Sequence, residues 1–370
     1  MPRFTAVASF DHASPERTGL LLVQLGTPDA PEPGPVRRYL KEFLSDPRVV
    51  EIPRLAWWPI LNGIILTTRP RKSAAKYAQI WTDQGSPLAV YTARQATMLR
   101  GFLGERGLDV DVAWAMRYGN PSVPSVLREM RERNVTRLLV LPLYPQYAGS
   151  TTASAYDAVW GELAGWRNLP EVRTVRGFHD FTPYVDALVE RVRAAWTHDG
   201  PPDKLVMSFH GVPRRTLLMG DPYHCECLVT GRLLAQRLGL QANQYVVTFQ
   251  SRFGKAEWLQ PYTAPTLEDL GRKGAGRVDV VCPGFVSDCL ETLEEIAMEG
   301  RESFLHAGGK DFRYIPCLND HPAFVGALAS LAQQHFGGWP VLRPTAEASK
   351  QGEQNLALRR SRAVALGAQA

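Results

Sequence analysis

The chain has 370 residues, 45% of them hydrophobic and 21% charged, with 31 Gly and 28 Pro. That composition fits an ordinary globular protein of about two domains and excludes wholesale disorder, collagen and coiled coil. Lys and Arg number 42 against 37 Asp and Glu, a net charge of +5, and they are scattered rather than gathered into a basic block, so nucleic acid is not an expected partner.

In chain order, the first 18 residues are polar and mixed, with nothing resembling a signal peptide, and are expected to fray. Short apolar runs then alternate with stretches of helical periodicity: GLLLVQL at 19–25, DVDVAWAM at 109–116, RLLVLPL at 137–143, KLVMSFH at 204–210, QYVVTFQ at 244–250 and RVDVVC at 277–282. Continuous apolar strands separated by helices predict a parallel α/β sheet. From Pro340 onward large apolar residues are too few to hold a core, so a frayed tail is expected. The most apolar stretch, Leu55 to Leu66, is broken by Pro59 and Asn62. It falls well short of the ~20 residues a spanning helix needs.

Three strand-end motifs recur in order, so the chain reads as an internal duplication. Leu25-Gly26-Thr27-Pro28 answers His210-Gly211-Val212-Pro213, Met116-Arg117-Tyr118-Gly119 answers Ser251-Arg252-Phe253-Gly254, and Leu141-Pro142-Leu143-Tyr144 answers Cys282-Pro283-Gly284-Phe285. Carboxyl strand ends are where doubly wound sheets bind ligands, so two such domains should face a cleft. The first copy carries an insertion between its first two strands. Trp57, Trp58, Ile60, Leu61 and Ile64 lie there among Arg54, Arg69, Arg71 and Lys72, a composition suited either to a bilayer interface or to a buried helix.

His210 closes an apolar strand just before Gly-Val-Pro, which puts its imidazole at the rim of the predicted cleft. The other seven histidines show no metal-ligand spacing. Ser287-Asp288 reads as a helix N-cap. Beyond it Glu291, Glu295 and Glu299 are spaced i, i+4, i+8, a carboxylate stripe along one helix face. Like charges on one face cost stability, and a carboxylate beside a neutral imidazole suits Fe²⁺ or its first-row neighbours. The loop Pro142 to Ser154 is aromatic and hydroxyl-rich, and the helix start it leads into could hold carboxylates through backbone N–H groups. Glu291 lies eight residues after Pro283 and Ser150 eight after Pro142; one wall is equipped for metal and protons, the other for an apolar ligand. Five cysteines, 225, 227, 282, 289 and 317, form no CxxC pair and read first as small buried thiols of a reducing cytoplasm. No P-loop or GxGxxG follows a strand, so nucleotide binding lacks support.

The strings SFHGVP (208–213), GDPY (220–223), TFQSRFGKAEWLQP (248–261), CPGFVSDCLETLEE (282–295) and PLYPQYAGSTTAS (142–154) resemble the ferrochelatase family, over about residues 18 to 336. The resemblance implies a chelatase-like α/β fold of two similar doubly wound, Rossmann-like domains facing a cleft. These would span 18–170, with the lip insertion at about 51–80, and 171–336, followed by a flexible tail at 337–370. It implies insertion of Fe²⁺ into protoporphyrin IX to make haem, a lyase reaction with Fe²⁺ as substrate and no required cofactor. By motif, His210 and Glu291 would form the metal and proton-abstraction site, Glu295 would continue the acidic path and Tyr144 would face it from the other domain. Leu25, Tyr77, Arg117, Tyr147, Ser150 and Trp258 would fall at porphyrin-pocket positions.

Leu25 stands where coproporphyrin-using members have Tyr, which favours protoporphyrin. Gly149 stands where eukaryotic members have a cluster-binding Cys, and no Cys follows in the tail, so a [2Fe–2S] cluster of that type is excluded. An internal cluster on Cys225 and Cys227 stays open. The expected location is the cytoplasm with peripheral attachment to the inner-membrane surface, and the oxidase preceding this step is an expected partner. A chelatase for cobalt or nickel in another tetrapyrrole, and a tetrapyrrole carrier without chemistry, are the competing readings.

Overall fold

A computed structural model describes residues 4–5 and 11–368. The first half runs β1 (Arg17–Thr27), α1 (Pro33–Leu44), α2 (Arg54–Ile60), α3 (Leu66–Ile80), α4 (Pro87–Glu105), β2 (Asp111–Gly119), α5 (Val123–Glu132), β3 (Val135–Pro142), α6 (Ser154–Leu163) and β4 (Glu171–Thr174). The second continues with α7 (Thr182–Trp196), β5 (Lys204–His210), α8 (Arg214–Leu218), α9 (Tyr223–Leu238), β6 (Tyr245–Gln250), α10 (Thr263–Arg272), β7 (Arg277–Val281), α11 (Leu290–Thr292), α12 (Arg301–His306) and β8 (Asp311–Ile315). Helices α13 (Pro322–His335) and α14 (Ala346–Ala365) follow. Short π-helical segments occupy Leu61–Ile65, Gly149–Ala153 and Leu293–Gly300.

The strands form two four-stranded parallel sheets of matching topology, β2-β1-β3-β4 and β6-β5-β7-β8, as the repeated motifs predict. All six expected strands are present. The fourth strand of each sheet escapes the sequence pattern because EVRT and DFRYI are short edge strands with charged residues in alternation, which leaves no apolar run to find. At the end of β1, Gly26 has φ +131° and a Cβ there would lie 1.9 Å from the Tyr118 carbonyl oxygen; only glycine lets β1 and β2 close at that point.

Alternation along the strands divides the core. Leu21 and Val23 of β1 pack with Leu138 and Val140 of β3 against α5 and α6, and Val206, Val278 and Val280 pack against Leu267 of α10 and Phe304 of α12. The opposite faces share one core. Leu20, Leu22, Leu139 and Leu141 of the first sheet join Leu205, Met207 and Phe209 of the second through α4, α7, α9 and α13. The apolar interior is thus continuous across residue 170, and the two sheets are held as one body by burial of non-polar surface.

The insertion is an amphipathic unit. Leu61, Ile65 and Leu66 are buried against Leu40, Leu44 and Trp57, and the Trp57 indole N–H donates to the Leu44 carbonyl at 2.7 Å. Leu55 (94% exposed), Trp58 (67%) and Ile64 (59%) face outward. Core and surface readings therefore each hold for one face of the segment.

Two expectations at the ends are corrected. The frayed start lies partly outside the described residues (1–3 and 6–10), but Thr5 N–H donates to Gly165 O at 2.9 Å and the Asn134 amide to Pro15 O at 3.0 Å. The tail is not featureless. Trp339 and Val341 are buried, the Trp339 indole donates to Glu171 at 2.8 Å beneath the Arg173 guanidinium, and Asp109 N–H donates to Val341 O at 2.7 Å. Farther on, α14 buries no residue. It forms because Ala, Gln, Glu, Leu and Arg are strong helix formers with Thr345 capping Ala348 N–H; a shortage of core residues argues against burial, not against helix.

Candidate active site

Strand β5 is buried from Leu205 to Phe209, and His210, which closes it, is half-buried, so the apolar run itself delivers the imidazole to the sheet edge. Nδ1 lies 2.6 Å from the Gly211 carbonyl oxygen. A carbonyl can only accept, so Nδ1 carries a proton, and in the neutral tautomer that bond leaves the lone pair on Nε2. Trp258 and Phe285 flank the ring at centroid distances of 6.4 and 6.3 Å. The Tyr223 hydroxyl donates to His210 O at 2.9 Å. Gly211 leaves no room for a side chain, since a Cβ would come within 2.7 Å of Gln250 O and 3.1 Å of the Trp258 ring.

The next strand end ties this histidine to the carboxylates. Gln250, 3% exposed, accepts from Gly211 N–H through its backbone carbonyl at 2.8 Å and from the Ser208 hydroxyl through Oε1 at 2.7 Å. Its Nε2 donates to Glu291 O at 2.6 Å and lies 3.4 Å from Glu295 Oε2. Ser251 adds its N–H at 2.7 Å and its hydroxyl at 2.5 Å to the Glu295 carboxylate, from a left-handed conformation of φ +64° that costs a non-glycine residue conformational energy. One buried amide thus joins the strand end of His210, the backbone of Glu291 and the side chain of Glu295. Tyr77 of α3 is buried beside Glu291; burial, then the Glu291 charge, push its phenol well up, so it stays neutral.

Residues 293–300 wind as a π-helix with i→i+5 bonding, and the carboxylates of the predicted stripe go to separate partners. Glu295 turns to Gln250 and Ser251, whereas Glu294 and Glu299 both reach the ammonium of Lys76 on α3, each at 2.8 Å. Among the described residues no group of three or more His, Cys, Asp or Glu is gathered as for a tightly held metal ion.

On the opposite wall Leu25 is half-buried, while Tyr144 is buried with its hydroxyl lacking a partner; burial pushes its phenol well up. Arg117 is engaged elsewhere than expected of a porphyrin contact. Its guanidinium donates to Asp46 at 2.5 Å and to the Ser154 hydroxyl at 2.7 Å. Asp46 also accepts from Tyr118 OH at 2.8 Å, Ser154 Oγ at 2.6 Å and Arg48 N–H at 2.7 Å. Burial acts to raise the Asp46 pKa, but those bonds and the Arg117 charge outweigh it and the carboxyl sits below its ordinary value.

The loop before α6 does hold carboxylates, and they are the chain's own. Tyr147 N–H donates to Glu226 at 2.6 Å and Gly149 N–H to Asp221 at 2.7 Å, with Arg176 over the Tyr147 ring. Ser150 is half-buried in the π-helical segment 149–153. Cys225 is exposed and Cys227 buried. Two residues apart on α9 they point to different faces, so they do not form a ligand pair for an internal cluster. Gln250, Ser251, Asp46 and Lys76 were not singled out from sequence. The polar Gln-Ser closing an otherwise apolar strand was the available signal for the first two.

Comparison with known proteins agrees with the two-sheet fold. The solved structure of SirB from Bacillus subtilis with Fe³⁺ covers 88% of this chain and 99% of its own at a TM-score of 0.53 and 11% identity, a likeness of fold. Curated ferrochelatases from Aromatoleum aromaticum (62% identical over 340 residues, 92% of this chain and 93% of that one) and Azoarcus sp. (58% over 368 residues, 100% and 99%) align along nearly the whole length. With the Ferrochelatase family model also matching residues 17–336, the chain belongs to the ferrochelatase family.

Proposed function

We propose that His210 and Glu291 carry the reaction of this family in this chain, the joining of Fe²⁺ to protoporphyrin to form haem by a lyase. The observation that supports these two residues is the Gln250 bridge, which fixes the strand end of His210 and the helix start of Glu291 at one edge. Two pyrrole N–H protons must leave as the metal enters, so a base has to stand on one face of the macrocycle. The free Nε2 of His210 is that base, and the Glu291 carboxylate hands the metal to the ring and passes the second proton toward solvent. Glu295 carries its charge locked by Ser251 and Gln250, which makes it a fixed negative field along the path rather than a mobile ligand. Trp258 stands beside His210 where the flat face of a porphyrin can lie. On the other wall we place Leu25, Tyr144, Tyr147 and Ser150 against the porphyrin's apolar edge, with Tyr77 beneath the carboxylate. Leu25 favours the vinyl-bearing protoporphyrin IX over coproporphyrin III.

We further propose peripheral membrane association from the cytoplasmic side. Leu55, Trp58 and Ile64 project from the insertion. Leu218 and Met219, 74% and 76% exposed at the end of α8, are brought to it by the Arg215–Glu51 ion pair at 3.0 Å. An apolar rim with cations beside it suits a bilayer surface, where an apolar substrate arrives and product leaves, and where the oxidase that supplies the porphyrin would meet this enzyme.

The test is anaerobic Fe²⁺ insertion followed by haem absorbance, with both porphyrins offered to wild type and His210→Ala. Protoporphyrin turnover that falls at least about a hundredfold in the variant is expected of a lost general base. Equal turnover in the two proteins would remove His210 from the mechanism, and tight binding without turnover would favour a carrier.

A further inference from the structure

We infer that Lys76 is a positioning residue, the cation that holds the 293–300 segment in its wide winding and so keeps Glu291 and Glu295 on the cleft side. The inference rests on the reading of His210 and Glu291 above. Four acidic residues occur at 291, 294, 295 and 299. In an α-helix Glu294 and Glu299, five residues apart, would point about 140° from each other, too divergent for one ammonium to hold both. In the i→i+5 winding of Leu293–Gly300 they come to one side, and Lys76 Nζ lies 2.8 Å from a carboxylate oxygen of each. The Glu294 side chain is only 7% exposed; buried beside another carboxylate, it needs a cation. The lysine comes from α3, in the other half of the chain, next to Tyr77, which packs with Leu290 and Leu293. Lip helix and acidic segment are therefore joined at two adjacent residues. With the Lys76 charge gone, Glu294 and Glu299 repel, the segment loses the contact that selects its register, and the carboxylates around Gln250 shift relative to His210.

Lys76→Met and Lys76→Arg are compared with wild type and His210→Ala by anaerobic Fe²⁺ kinetics, by visible absorbance of the enzyme titrated with Co²⁺, and by thermal unfolding. Lys76→Met is expected to raise KM for Fe²⁺ about fivefold with a smaller change in kcat, as for a coupled network of charges. It should also alter the cobalt ligand-field bands and lower the unfolding midpoint, since the buried Glu294 loses its cation, and Lys76→Arg should restore both. Lys76→Arg, which keeps the charge, should bring KM back to within about twofold. A wild-type KM and cobalt spectrum in Lys76→Met, or a loss that Lys76→Arg does not repair, overturns the proposal. Should Lys76→Met fail to fold, Lys76→Gln is read in its place: it removes the charge but keeps a hydrogen-bond donor for Glu294, and an unchanged KM overturns the proposal equally. His210→Ala separates the two levels, since full insertion there removes the site assignment itself, whereas its loss beside a silent Lys76→Met removes the lysine alone.

Discussion

Asp46 shows how a single buried residue is shaped by its surroundings. It is 6% exposed and accepts from Arg117, Tyr118, Ser154 and the Arg48 backbone. Its folded pKa lies below the ordinary 3.8. A depressed carboxyl adds stability that is fully present above its unfolded pKa and is lost as pH falls through the folded value. Asp46→Asn should therefore destabilise the protein by about 2–4 kcal/mol at pH 7, because it strands the largely buried Arg117 guanidinium. The gap between the two proteins should shrink as pH drops below about 4. Urea unfolding at pH 7 and pH 3.5 checks this; a gap independent of pH would mean the carboxylate charge contributes nothing. The family resemblance placed Arg117 at a porphyrin position. Its partner lies 71 residues away, and no periodicity links the two.

Elements behave according to the face they show. The insertion was read from its tryptophans as either interface or core, and the structure buries one and exposes the other: Trp57 is bonded to Leu44 O and packed, while Trp58 is exposed. Leu55→Ser with Trp58→Ser should reduce flotation with anionic liposomes roughly tenfold, the loss of burying two large apolar side chains in the interface discounted for partial depth. Trp57→Ala should instead lower the unfolding temperature and leave flotation of the folded fraction unchanged. Identical flotation of wild type and the double variant would remove the membrane proposal. The same logic explains the acidic segment. A spacing of i, i+4, i+8 fixes which carboxylates share a face, not which partners meet them: Glu295 takes Ser251 and Glu299 takes Lys76.

At the scale of the whole molecule, two carboxylates fasten the halves together. Glu226 and Asp221 accept the Tyr147 and Gly149 N–H groups, and Glu226 also takes Arg176 at 3.0 Å and lies 3.3 Å from His179. Glu226→Ala should cost about 2–3 kcal/mol, because it leaves a buried backbone donor without its charged acceptor. Differential scanning calorimetry should show a lowered transition that remains single, since the core that includes Leu141 and Phe209 is continuous. Two separated transitions in the wild type would contradict that cooperativity.

The duplication, six of the eight strands, the strand-end position of His210 and the acidic start at Glu291 were all legible in the amino-acid sequence. They follow from local pattern: apolar runs of strand length, glycine where backbones close, and a histidine at the first position past a buried run. The partners of those groups were not legible. Gln250 reaching Glu291, Lys76 reaching Glu294 and Glu299, Arg117 reaching Asp46, and Glu226 reaching Tyr147 are contacts between residues 41 to 223 positions apart. Such contacts are set by how two sheets and their shared helices pack. Local pattern specifies which face of an element is apolar; it does not specify which polar group waits on the other side once the faces are joined, and only the tertiary structure decides that.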